Sequence, residues 1–155
     1  MAHSRKVQLT LALLKPDIML HPVRVKTVKD IVIDSGFKVV RSRVLCWTRK
    51  DAEKFYAEHE GRFFYNRLVG FISSGPMTAM ILSRQDAISK WRELMGPTHS
   101  YRARDIAPIS IRALYGISDT RNVTHGSDSD ESAMKEIKFF FPDFDFKSNL
   151  QQWNK

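Results

Sequence analysis

Cysteine is nearly absent from this 155-residue chain: Cys46 stands alone, which excludes an internal disulfide and any cysteine-based zinc site and suits a reducing compartment. Long apolar runs are absent too. The first apolar stretch, Val7 to Leu14, is interrupted by Gln8 and Thr10, so it reads neither as a membrane span nor as a signal-peptide core. No acid precedes Asp17, and Arg5 and Lys6 lie ahead of it, a faint likeness to an organelle presequence. A soluble intracellular protein, cytoplasmic or mitochondrial, is the expectation. No internal repeat or second composition regime breaks the chain, so residues 1–155 are expected to form one domain, large enough to bury a core without metal or disulfide. The third strand, Met77 to Leu82, lacks the exposed aromatics of an RNA-recognition sheet.

What is present is a basic excess, +8 overall, concentrated in one third. Residues 1–50 hold eleven Lys and Arg against three Asp and Glu, while the rest is balanced. Such a region attracts nucleic acid, acidic lipid or nucleotides, or is simply a solvated face. Weak, sequence-indifferent nucleic-acid binding at most is expected.

Periodicity gives the elements. Val7, Leu9, Leu11 and Leu13 alternate as a strand buried mainly on one side; Val25, Val28, Ile31 and Val32 mark a helix between Pro22 and Gly36; Phe37 to Trp47 is a β-branched strand. Thr48 and Asp51 form a capping-box start for a helix carrying Phe55 and Tyr56. Phe64, Leu68, Phe71 and Ile72 fall at helical spacing, Met77 to Leu82 is the third strand, and Ser83 with Asp86 repeats the cap pattern before a helix ending at Gly96. Thr98 to Pro108 reads as a long polar loop, and Ile109 to Ile117 fits strand or helix equally. Val123 to His125 is a short fourth strand before a helix over 131–141, ended by Pro142. This order describes an α+β ferredoxin-like sandwich, a four-stranded antiparallel sheet with helices on one face. The tail, 143–155, carries Phe144, Phe146 and Trp153 and is expected to pack on the domain or on a neighbour.

The chemistry converges on His125. An imidazole, with an ordinary pKa of about 6.5, is a neutral nucleophile near physiological pH. Gly126 lets a bulky substrate approach the ring, and Ser127, Asp128 and Ser129 supply cap chemistry for a helix whose start favours phosphate. From these residues alone, a loop, a cap and an idle histidine would serve as well.

The landmarks Leu-Leu-Lys-Pro-Asp at 13–17, Gly-Arg-Phe-Phe at 61–64, Ser-Gly-Pro at 74–76 and Leu-Met-Gly-Pro-Thr at 94–98, in this order and spacing, make the whole chain resemble the nucleoside diphosphate kinases. The segment from Thr98 to Pro108 is most like a divergent subgroup of that family. The resemblance implies a ping-pong transfer in which His125 takes the γ-phosphoryl of a nucleoside triphosphate and gives it to a nucleoside diphosphate. It implies that Lys15, Arg92, Thr98 and Arg112 hold phosphate oxygens, that Lys15 and Asn122 reach the sugar hydroxyls, and that Tyr56 and Glu136 orient the histidine. Phe64 and Leu68 would form the base platform. Magnesium would arrive on the nucleotide phosphates, with no dedicated protein cage, and the protein would form a homo-oligomer. Three departures from the family pattern stand out: the loop after Thr98 is longer, Asp119 takes a base-facing apolar position, and Ala113 replaces a glycine. The first puts hexamer assembly in question, and the alternative function is a weakly active kinase-fold subunit that binds a protein partner.

Overall fold

The axis of the fold is β1 (Val7–Leu14), because its two faces feed two separate cores. Leu9, Leu11 and Leu13 point into one cluster, while Ala12 and Leu14 point into the other. Successive strand side chains alternate between faces, so a strand apolar at both parities must be covered on both sides. The structure, a computed structural model, describes residues 7–147. After β1 come α1 (Pro16–Met19), α2 (Pro22–Asp34), β2 (Lys38–Cys46), α3 (Arg49–Phe55), a 3-10 turn at Ala57–His59, α4 (Tyr65–Ile72) and β3 (Pro76–Gln85). There follow α5 (Ala87–Met95), α6 (Ser100–Ile106), α7 (Ile111–Tyr115), β4 (Thr124–Gly126) and α8 (Asp130–Phe140).

The strands form one antiparallel sheet in the order β2-β3-β1-β4, the ferredoxin-like arrangement. Helices cover both faces of it, where the sequence pattern suggested one. Ala52, Val69, Ile72, Ile137 and Phe140 from α3, α4 and α8 close the first cluster. Val28, Val32, Ala87, Trp91, Met95 and Ile111 from α2, α5 and α7 close the second. Gln8 and Thr10 had suggested a polar face, but Thr10 is itself fully buried. Each wholly buried leucine contributes about 1.5–3 kcal/mol.

Several boundaries differ from those read in sequence. Ser83 does not begin a helix; it pairs with Leu9 and Lys38 inside β3, and Asp86 turns the chain at φ 55° without a capping bond. The stretch expected to be a polar loop contains α6, hidden in the sequence because only Ser100 and Ala103 of Ser100–Ile106 are buried and no apolar stripe results. The ambiguous segment after it is helical, with Ser110 capping α7. The Thr48 and Asp51 capping box is formed as read. Phe144 joins the first core and Phe146 stands edge-on to it, whereas Trp153 lies outside the described residues. Among the described residues no helix is long and apolar enough to cross a membrane.

Candidate functional site

Residues 122–125, leading into β4, are gripped along the backbone from three directions. Arg112 reaches in from α7: its Nε donates to the Asn122 carbonyl (3.3 Å), Nη2 to Thr124 (2.8 Å) and Nη1 to Gly96 (2.9 Å). Trp91 of α5 donates its indole N–H to the His125 carbonyl at 3.2 Å. The stretch around α1 holds Val123, whose carbonyl accepts from the Lys15 amide (2.8 Å) and whose amide donates to Asp17 Oδ2 (3.0 Å). Val123 has φ 77°, a left-handed backbone on a β-branched residue, a strain on the order of 1–3 kcal/mol that the surrounding bonds must offset. Gly126 follows because a Cβ there would lie 2.5 Å from Trp91 Cδ1 and 2.9 Å from Met95 Cε. It admits the indole that buttresses His125, a packing reason the sequence did not disclose, and it also lines the cleft.

The His125 ring emerges into a cleft of about 390 Å³ between α8, α5 and the stretch from the end of α3 through the 3-10 turn. Nε2 lies 2.8 Å from Glu136 Oε1, and the side chain is 27% exposed, enough for a phosphate to reach it. Nδ1 has no hydrogen-bond partner among the described residues. Ser127, expected as a cap, instead accepts from the Leu11 amide and donates to Glu136 Oε1 at 3.2 Å, fixing the carboxylate that holds the histidine. Ser129 caps α8 through the Ser132 amide, and the Asp128 carboxylate takes a hydrogen bond from the Ser132 side chain beside it. Phe55 packs edge-on against the imidazole with centroids 5.4 Å apart. Tyr56 beside it is buried, and burial together with the negative charge of Glu136 pushes its hydroxyl well above the ordinary range, so it stays protonated.

Cations gather on the cleft wall from separate elements: Lys54, Arg92, Arg112 and Lys135. Behind them Lys15 is buried and donates to Asn122 Oδ1 at 2.7 Å. Desolvation, aided by Arg112 and opposed by Asp17, lowers its pKa to about 8. Burial, with Arg92 adding to it, lowers Arg112 to about 10. Positive charge held this far out of water is stabilised by an arriving polyanion.

Of the residues read from sequence, His125, Tyr56, Glu136, Arg92, Thr98 and Arg112 share this cleft. Lys15 and Asn122 join it from behind, Asn122 Nδ2 donating to the Thr98 carbonyl at 3.1 Å. Phe64 and Leu68 do not line it. Phe64 reaches the wall only through His59, whose ring is 5.3 Å from its own, and Leu68 packs against the first core. Two of the sequence departures change meaning. Ala113 sits inside α7 with an ordinary helical backbone, so no glycine is needed there. Asp119 does not stand as a lone charge: its Oδ1 is 2.8 Å from His99 Nδ1, clasping the start of α6 to the turn before Asn122. His59, Phe55, Ser127 and Asp17 were missed, because each looks like ordinary packing or capping until the chain is folded.

With this geometry in hand, the chain belongs to the nucleoside diphosphate kinase family, whose sequence model, described as nucleoside diphosphate kinase, matches residues 8–146. It is similar to nucleoside diphosphate kinase 6 of Homo sapiens, 56% identical over 147 residues that span 95% of this chain and 77% of that protein. With nucleoside diphosphate kinase 6 of Danio rerio the identity is 54% over 149 residues, 96% of this chain and 82% of that one. These are members of the divergent subgroup indicated by the segment after Thr98. Among solved structures, the Aquifex aeolicus nucleoside diphosphate kinase matches with a TM-score of 0.84 at 42% identity, covering 87% of this chain and 95% of that one. The Encephalitozoon cuniculi nucleoside diphosphate kinase gives 0.82 at 29% identity, covering 88% and 90%.

Proposed function

We propose that this chain is an active nucleoside diphosphate kinase working through phospho-His125. The observation that carries the reading is the histidine in a cation-lined cleft with Nε2 held 2.8 Å from the Glu136 carboxylate. If Nε2 carries the proton, Nδ1 keeps its lone pair. That pair attacks the γ-phosphorus of a nucleoside triphosphate; the N–P bond forms as the bond to the bridging oxygen breaks, and the nucleoside diphosphate leaves with those electrons. A terminal phosphate oxygen of a second nucleoside diphosphate then attacks the phosphorus, and the N–P bond breaks. Glu136 offsets the positive charge the ring acquires, with Ser127 and Tyr56 as its neighbours.

In this reading Arg92, Thr98 and Arg112 hold phosphate oxygens, and Lys15 with Asn122 serve the sugar and the inner phosphates. Arg112 has three N–H groups committed to carbonyls, so its remaining two, and its charge, face the phosphates. Phe64 and Leu68 form the base platform once the nucleotide extends past His59. Magnesium enters as part of the nucleotide substrate, bound to its phosphate oxygens. The protein acts as one domain, in cytoplasm or mitochondrion.

Self-association belongs to the proposal. Tyr101, Ile106, Ile109, Leu114 and Ile117, in and around α6 and α7, are large apolar side chains left exposed. They suit a second copy of the chain or, in the alternative reading of a weakly active subunit, a protein partner. Nucleic-acid binding is weak at most: Arg41 is engaged with Asp143 and Arg43 with the Phe140 carbonyl.

The test is incubation with γ-labelled ATP and magnesium. The expected product is an acid-labile, base-stable phosphoprotein that any nucleoside diphosphate discharges. No label, or label that persists when His125 is replaced by alanine, would overturn the reading.

A further inference from the structure

We propose that Asp17 is a positioning residue for His125: its carboxylate pins Val123 in the left-handed backbone that aims the strand bearing the histidine. The inference rests on His125 being the phosphoryl acceptor. Val123 is the one β-branched residue with positive φ among the described residues. Such a residue does not stay there unaided, since its side chain collides with its own backbone.

Besides the bond from the Thr124 amide to the Asn122 carbonyl (2.9 Å) that closes a tight turn over Val123, what opposes relaxation is a two-point hold from a single tripeptide. The Lys15 amide donates to the Val123 carbonyl at 2.8 Å, and the Val123 amide donates to Asp17 Oδ2 at 3.0 Å. Pro16 lies between them with its φ fixed by the ring, so the two anchors keep their spacing. The hold is sequestered, because Val123 and Lys15 are buried. Asp17 Oδ1 is buried without a hydrogen-bond partner, so the carboxylate is kept in place at a desolvation penalty although only one oxygen bonds.

The other grips on this segment act on carbonyls. Arg112 takes Asn122 and Thr124, and Trp91 takes His125. Asp17 is the acceptor for the Val123 amide, and without it that amide is buried and unpaired. Rotation of Val123 toward an extended backbone then offers relief, and it would swing His125, two residues on, away from Glu136. Misplacement of a nucleophile by about 1 Å lowers rates on the order of a hundredfold.

The experiment compares Asp17→Asn, Asp17→Ala, Val123→Gly and the double variant Asp17→Ala/Val123→Gly. Asparagine keeps the accepting oxygen, so the rate of His125 phosphorylation should stay within about threefold of wild type. Alanine should slow it at least ~10-fold with nucleotide KM little changed, the split expected when aim and not grip is lost. Glycine adopts positive φ without strain but leaves the amide at 123 unpaired, so the double variant should recover the part of the loss that Cβ strain causes, at least ~3-fold. An Asp17→Ala variant at wild-type rate, or equal losses in Asn and Ala that Val123→Gly does not relieve, would overturn the assignment. The ring nitrogens of His125, followed by nitrogen NMR, supply a readout independent of turnover. The Nε2–H bonded to Glu136 should persist in Asp17→Asn and be lost in Asp17→Ala, and its persistence in Asp17→Ala overturns the assignment. A wild type that takes no label would defeat the kinase reading, and the NMR comparison would still decide the role of Asp17.

Discussion

Replacing Gly126 by alanine should damage both stability and phosphorylation, through Trp91. The added Cβ would sit 2.5 Å from Trp91 Cδ1, 2.8 Å from its Nε1 and 2.9 Å from Met95 Cε. Trp91 is wholly buried between α5 and the sheet, in T-shaped contact with Phe37, so it has no room to retreat. Overpacking of this kind costs roughly 1–3 kcal/mol, and detaching the indole N–H from the His125 carbonyl adds ~1 kcal/mol. The sum, ~2–4 kcal/mol, corresponds to roughly a 5–12 °C fall in Tm for a chain of this size. Urea or thermal unfolding measures it, alongside the rate of His125 labelling. In a Trp91→Ala background the methyl has space, so the penalty of Gly126→Ala should drop below ~1 kcal/mol, a coupling that a double-mutant cycle reads directly. A Gly126→Ala protein within ~0.5 kcal/mol of wild type, or a penalty unchanged without Trp91, would refute the reasoning.

Lys15 predicts a pH dependence of stability. Its folded pKa of about 8 lies below the ordinary 10.5, so between those values the unfolded chain holds a proton that the folded chain has released. Stability should therefore rise with pH across that window, by at most ~3.5 kcal/mol at about 1.4 kcal/mol per pH unit, relative to a Lys15→Met variant in which this slope is absent. Glu136→Gln should slow phosphorylation ~100-fold with little change in nucleotide KM, because the amide cannot offset the charge on the ring; an equal loss in KM alone would reassign Glu136 to binding. Arg112→Ala should lower stability by ~2 kcal/mol as well as turnover, since it takes the guanidinium from the Thr124 and Gly96 carbonyls, while the Asn122 carbonyl keeps the Thr124 amide. Full stability in chemical denaturation would show that these bonds are dispensable.

The sequence disclosed those parts of the protein that rest on local chemistry. The capping box at Thr48 and Asp51 needs only residues three apart, and it formed. Strand alternation in β1 located the strand, but Ala12 and Leu14 among larger neighbours did not announce a second core on the other face. In α6 the helix is polar nearly all round, so periodicity had nothing to register. At the site, His125, Glu136, Arg92, Thr98 and Tyr56 come from five separate stretches of the chain and line one cleft, a convergence that no local pattern displays. Contacts that depend on distant segments were illegible. Ser127 bonds across nine residues to Glu136, Gly126 answers to Trp91, and Asp17 holds Val123 from more than a hundred residues away.

The central claim is that the imidazole of His125, presented by β4 and held by Glu136, accepts the phosphoryl group. Mass spectrometry of the protein after brief exposure to ATP and magnesium, under basic conditions that preserve phosphohistidine, tests it most directly. One phosphoryl group per chain, located on His125 and removed by added nucleoside diphosphate, is the predicted result; a phosphoryl group on another residue, or none, would contradict it.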